Sequence, residues 1–258
     1  NKEPVAFVKK GLWKAGDTLI QPQLAATLKR IGKLGQKGFY EGITARMIQN
    51  DLKKNAGIIS LEDLKNYKAK FRDPIQFNYR GYQIISMPLP SSGGIILQQV
   101  LKMIENKDVQ AMQFQTAASV QLLTEAERRA FADRAQYMGD ADFVQVPVKQ
   151  LLDNTYLQKR MSDYVPGKAG NSKETGAGFI PEHEETTHIS IIDRAGNAVS
   201  VTTTLNGSYG SRVVIAGAGF IMNNEMDDFS IKEGVPNMYG AVGNAANAIA
   251  PGKRMLSS

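Results

Sequence analysis

The segment TTHISIIDRAGNAVSVTTTLNG, residues 186–207, constrains this chain more than any other stretch. Thr187 to Ile192 alternates apolar and polar residues, Asp193-Arg194-Ala195-Gly196-Asn197 is a polar turn, and Ala198 to Leu205 alternates again, which predicts a β-hairpin. The turn centres on Ala195, so symmetric pairing sets Ile192 opposite Ala198 and Thr186 opposite Thr204. Directly opposed residues share a face, with Cβ atoms about 5 Å apart. One side is then apolar (Ile189, Ile191, Val199, Val201) and the other rich in hydroxyls (Thr186, His188, Ser190, Ser200, Thr202, Thr204). A half-buried hairpin turns its polar side to water, and the alternation alone asks for nothing more.

The surroundings of the hairpin add chemistry. Thr186 follows the acidic run Glu182-His183-Glu184-Glu185. A Thr hydroxyl is a weak nucleophile that needs a base, and a Thr made N-terminal by chain cleavage carries one in its own α-amine. That amine titrates near pH ~8, so much of it is unprotonated close to neutrality. Thr187 competes for the role, but the residue opposite it is Thr203, on the side that carries Ile and Val. Thr186 shares its face with Thr204. His188, one of two histidines, is assigned a structural role, since an α-amine already supplies the base.

Downstream come Asn206, the Gly-rich stretch Ala216 to Met222, read as a strand, then Asn223-Asn224-Glu225-Met226-Asp227-Asp228-Phe229-Ser230 and Pro251 to Ser258. Upstream lie Phe39-Tyr40-Glu41-Gly42, Gly57 to Leu64, Tyr79-Arg80-Gly81-Tyr82 and Ser86 to Gly94. In this order the set resembles the γ-glutamyltranspeptidase (glutathione hydrolase) family of N-terminal-nucleophile hydrolases, over nearly the whole chain.

That resemblance implies an α+β fold, an αββα sandwich of two stacked sheets between helix layers. It implies self-cleavage at Glu185–Thr186 into associated large and small subunits, with residues 1–185 the C-terminal part of the large subunit, mostly helical with a flexible polar linker at about 166–185, and residues 186–258 the N-terminal part of the small one. Thr186 is then the nucleophile and Thr204 the hydroxyl that orients it. Asn206, Glu225 and Asp228 match positions that bind the substrate's α-amino group, and converge on one pocket. An ammonium offers three donors and wants negatively charged acceptors. Ser257 and Ser258 match serines that hold the α-carboxylate, and Tyr239 matches the gating aromatic of a lid loop. The implied substrates are glutathione and related γ-glutamyl compounds, with no metal or organic cofactor, in the periplasm or secreted.

The same resemblance marks the chain as an internal fragment across the subunit junction. Family members extend past both ends, with a carboxylate-pairing arginine upstream and the oxyanion-hole glycines after Ser258; losing one oxyanion donor costs ~10²–10³ in rate. Three alternatives stay open: a β-lactam acylase of the same superfamily, a transferase acting on poly-γ-glutamate, and an inactive homologue.

Composition narrows the field further. No cysteine is present, which excludes disulfides, thiol catalysis and Cys-ligated zinc in this chain. No apolar run approaches the ~20 residues of a membrane span. The net charge of +6 lies entirely in residues 1–185, dispersed over helical stretches without aromatic interleaving, so nothing points to nucleic acid. Ser91-Ser92-Gly93-Gly94 lacks the Lys of a phosphate loop and reads as a tight turn before a helix over 95–104. Helical spacing also predicts helices over 23–34, 44–54 and 116–137, and Ser60 with Asp63 a capping box. Residues 74–87 read as alternating strand turning at Arg80-Gly81.

Overall fold

A computed structural model describes residues 5–172, 174–175, 186–230, 232, 235, 238 and 247–255. The chain is α+β. It divides into two compact units, each discontinuous: residues 1–71 with 185–224, and residues 72–184 with 225–258. Each unit therefore takes chain from both sides of the Glu185–Thr186 bond.

The first unit begins with α1 (Pro22–Leu34), α2 (Lys37–Tyr40), α3 (Gly42–Lys54) and α4 (Leu61–Lys65). Gly35 ends α1 at φ 58°. Ser60 caps α4 through the expected box: its Oγ accepts from the Asp63 N–H at 3.1 Å, and Asp63 Oδ2 accepts from the Ser60 N–H at 2.8 Å. Ala45, Ile48 and Leu64 form the core with Ile215 and Ala218. Ala218 comes from the Gly-rich stretch and Ile215 directly precedes it; the stretch is a turn and not the expected strand. Gly217 and Gly219 sit at φ 75° and 77°, which breaks any extended run, and only an isolated bridge joins Val214 to Ile221. The turn folds onto α1, where the Thr27 hydroxyl donates to the Ala218 carbonyl at 2.8 Å. A Cβ on Gly219 would lie 2.4 Å from the Leu24 nitrogen, so the close approach requires glycine there.

The second unit opens with β1 (Ile75–Tyr79) and β2 (Tyr82–Ser86), an antiparallel hairpin in which Tyr79 pairs with Tyr82. Arg80 and Gly81, at φ 48° and 86°, make the two-residue turn that matches strand twist. Next come α5 (Gly93–Ile104), α6 (Ala117–Tyr137), α7 (Val148–Leu151) and α8 (Asn154–Arg160). Ile95, Leu89, Met138 and Leu151 make one core cluster; Met103, Ile104, Leu122, Ala126, Leu157 and Met161 make another.

α6 also carries buried charge. Glu125, Arg129 and Asp133, one turn apart, are each 3% exposed. Arg129 donates to Glu125 at 2.7 Å and to Asp163 at 2.6 Å, and Asp133 accepts from the Tyr156 hydroxyl at 2.8 Å. Burial pushes Glu125 up, but Arg129, the Gly170 N–H and Arg128 outweigh it and hold the carboxyl below its ordinary value. The same helix grips the start of the polar stretch expected to be flexible. Gln121 binds the Val165 and Lys168 carbonyls at 2.9 and 2.7 Å, Glu125 accepts from the Gly170 N–H at 2.8 Å, and Arg128 donates to Ser172. Residues 176–185 lie outside the described residues.

Candidate active site

β3 (Thr186–Ile192) and β4 (Ala198–Thr204) belong to the first unit and pair antiparallel in the expected register, Ile192 with Ala198 and Thr186 with Thr204. The turn explains that register. Asp193 Oδ1 accepts from the N–H groups of Ala195 and Asn197, both at 2.9 Å, Oδ2 accepts from the Asn197 amide at 2.8 Å, and Gly196 takes φ 84°. The Asn197 side chain first, then its N–H, hold the Asp193 carboxyl below its ordinary value. A side chain that accepts from the following backbone is what makes Asp a turn residue.

The hairpin departs from expectation in its burial. Both sides face solvent: Ile189, Ile191, Val199 and Val201 on the apolar side are 45–55% exposed. β3 and β4 form a two-stranded sheet, and among the described residues no further strand joins it. On the hydroxyl side His188 meets Thr202 at 2.8 Å through Nδ1, and Ser190 and Ser200 at 3.0 Å through Nε2. Both ring nitrogens are engaged by hydroxyls of its own hairpin, which fits a structural role.

Beyond β4 the chain turns back sharply. Asn206 sits at φ 69°, a left-handed conformation that Asn tolerates better than most residues. Its N–H donates to Thr204 Oγ1 at 2.8 Å, a bond that fixes the Thr204 hydroxyl against the turn. Asn206 is buried, and its amide donates to the Asn224 carbonyl at 3.2 Å; Asn224 Oδ1 accepts from the Gly207 N–H at 2.9 Å. Asn224 is thus the brace of the Asn206 turn, a role the sequence reading missed. Its only sequence signal was the Asn-Gly pair at 206–207, which marks the turn but not its brace.

Glu225 and Asp228 belong to the second unit, where they share one 3₁₀ turn, Glu225–Asp228. Glu225 is 6% exposed, and burial, with the nearby charge of Asp228 second, pushes its carboxyl up to about 6. Three carboxylates on one turn, Glu225, Asp227 and Asp228, one of them desolvated, leave a local excess of negative charge that a cation relieves. The peptide of Asp228 is anchored: its carbonyl accepts from the Asn247 amide at 2.6 Å, and the Ser230 N–H donates to the Asn247 carbonyl at 2.9 Å. Asn206 belongs to the first unit, and Glu225 and Asp228 to the second. Glu185, Tyr239, Ser257 and Ser258 lie outside the described residues. No described helix is long and apolar enough to cross a membrane.

Comparison with known proteins follows the same line. The sequence pattern of the family described as Gamma-glutamyltranspeptidase matches residues 4–258. The glutathione hydrolase proenzyme of Escherichia coli strain K12 is 47% identical over 247 residues, covering 95% of this chain and 43% of that protein. Among solved structures, Helicobacter pylori gamma-glutamyltranspeptidase is similar with a TM-score of 0.63 and 46% identity, over 66% of this chain and 49% of that one. A cephalosporin acylase from Bacillus halodurans gives a TM-score of 0.73 at 26% identity, over 93% of this chain and 41% of that one. The chain spans less than half the length of each of these relatives.

Proposed function

This chain belongs to the γ-glutamyltranspeptidase family, and from that premise we propose that it carries the self-processing junction and glutamyl-binding residues of a γ-glutamyl hydrolase and transferase. Thr186 attacks the carbonyl of Glu185, the acyl group moves from nitrogen to the Thr oxygen, and the freed amine becomes a new N-terminus. Water then resolves that ester, leaving residues 1–185 in one subunit and residues 186–258 in another that stays associated with it. The mature Thr186 hydroxyl attacks the γ-glutamyl amide of glutathione or a related compound, with its own α-amine as base. The amine product leaves, and the γ-glutamyl ester passes to water or to an amino acid or dipeptide.

Thr204 orients Thr186, since a hydroxyl that accepts a bond still has a proton to donate. Asn206, Glu225 and Asp228 supply acceptors for the substrate ammonium, Ser257 and Ser258 bind its carboxylate, and Tyr239 stands on a lid. The complete fold in this reading is an αββα sandwich, and the compartment the periplasm or outside the cell. The single observation that carries the proposal is the Thr186–Thr204 register, in a hairpin whose turn chemistry fixes it.

The likeness to a cephalosporin acylase keeps a second substrate class in view. A glutaryl side chain lacks the ammonium, and the paired carboxylates of the Glu225–Asp228 turn favour the glutamyl compound. Assaying the full-length protein with a γ-glutamyl anilide and a glutaryl-bearing cephalosporin separates the two. Preference for the anilide supports this reading, and preference for the cephalosporin overturns it.

A further inference from the structure

Lys253 is a buried cation with no part in the chemistry just described. It is 8% exposed. Its Nζ donates to the Ala248 carbonyl at 2.9 Å, and stands 5.3 Å from the Phe229 ring centroid and 5.8 Å from that of Phe143. Both separations lie within cation–π range. Desolvation pulls its pKa down and the charge of Asp140 pulls it up. A buried ammonium persists only where dipoles, ring faces or charges compensate it, so this one has a built seat.

The seat lies against the proposed ammonium-binding turn. Phe229 is the residue after Asp228. Ser230 forms a parallel bridge with Ala248, whose carbonyl Lys253 holds, and Asn247 bonds the Asp228 carbonyl. The segments 228–230 and 247–253 are thus stitched at one end through the Asp228 peptide and at the other through the Lys253 side chain. A turn that carries three carboxylates has reason to splay, and something must resist that before a substrate cation arrives.

We propose that Lys253 is a positioning residue for substrate: seated between Phe143 and Phe229 and bonded to Ala248, it locks the Glu225–Asp228 turn at the spacing that accepts a γ-glutamyl α-amino group. The proposal rests on the γ-glutamyl reading above. It differs from plain structural support by acting on binding of the ammonium and not on the acyl-transfer step.

The test is made in the full-length protein with Lys253→Met, which keeps the stem and removes the charge, and Lys253→Arg, which keeps a cation over the rings. Lys253→Met raises KM for a γ-glutamyl anilide ~10-fold while kcat stays within ~2-fold, and Lys253→Arg restores most of the loss. An unchanged KM, a fall confined to kcat, or a Lys253→Arg variant as poor as Lys253→Met overturns the proposal. Should Lys253→Met fail to fold, Phe143→Leu decides instead. It removes one ring face and raises KM ~3-fold with kcat unchanged if the seat matters to binding, and an unchanged KM again overturns the claim. Wild-type protein that turns over a glutaryl anilide as well as the γ-glutamyl one contradicts the ammonium reading itself and takes this proposal with it.

Discussion

Glu225 is the residue at which stability and the proposed recognition meet. Its carboxyl is raised to about 6, chiefly by burial, so the folded protein holds a proton there that the unfolded chain releases near the ordinary 4.5. Its contribution to stability is therefore full below the unfolded value and falls as pH rises through about 6. In the proposed function, substrate binding runs the other way, because an ammonium needs the ionised carboxylate. KM for a γ-glutamyl anilide should fall as pH rises from 5 to 7, by up to ~10-fold per unit on the acid side. Glu225→Gln should flatten that limb and raise KM at neutral pH. A Glu225→Gln profile that keeps the wild-type acid limb would remove Glu225 from the binding set. Asn206 and Thr204 could be named from sequence, but the Asn224 brace could not. It depends on a left-handed turn that brings residues far apart in the chain into contact.

At the scale of elements, legibility followed the kind of periodicity each carries. The β3–β4 register could be read because alternation has period two and the turn is symmetric about Ala195; a one-residue slip would move Thr186 to the other face. The Gly-rich stretch before Met222 was misread as strand because its outcome hangs on the positive φ of Gly217 and Gly219, which an apolar pattern does not encode. The length of α6 was legible and the charge on its buried side was not, since Glu125, Arg129 and Asp133 are buried there beside Leu122, Ala126 and Ala130. The exposure of both hairpin sides was not legible either, for alternation specifies two faces without specifying what covers them. α6 yields a prediction of its own. Arg129→Ala removes the buried ion-pair partner that Glu125 meets at 2.7 Å and should cost about 3–5 kcal/mol in urea unfolding at pH 7. Because Glu125 is held below its ordinary pKa, the gap between variant and wild type should shrink as pH falls through that lowered value. A loss under ~1 kcal/mol would mean that the charges on α6 are solvated.

On the scale of the whole molecule, the two units are each built from both sides of the proposed cleavage bond. In the first, α1 packs on the Gly217–Gly219 turn through Thr27 and Ala218, so cutting at Glu185–Thr186 leaves that core intact. The pieces should then stay together without a covalent link. Gly219→Ala tests this, since its Cβ would fall 2.4 Å from the Leu24 nitrogen in a backbone conformation that L side chains resist. It should cost ~2 kcal/mol or more, and the cleaved pieces should separate at lower urea on size exclusion. Unchanged co-elution would place their association elsewhere.

The central claim is that Thr186 cuts the chain and then serves as the nucleophile, and the N-terminal sequence of the processed full-length protein tests it most directly. Two polypeptides are predicted on a denaturing gel, the smaller beginning Thr-Thr-His, with Thr186→Ala giving a single uncut polypeptide and no γ-glutamyl hydrolysis. A smaller piece that begins at Thr187, or a Thr186→Ala variant still cut after Glu185, would contradict the account.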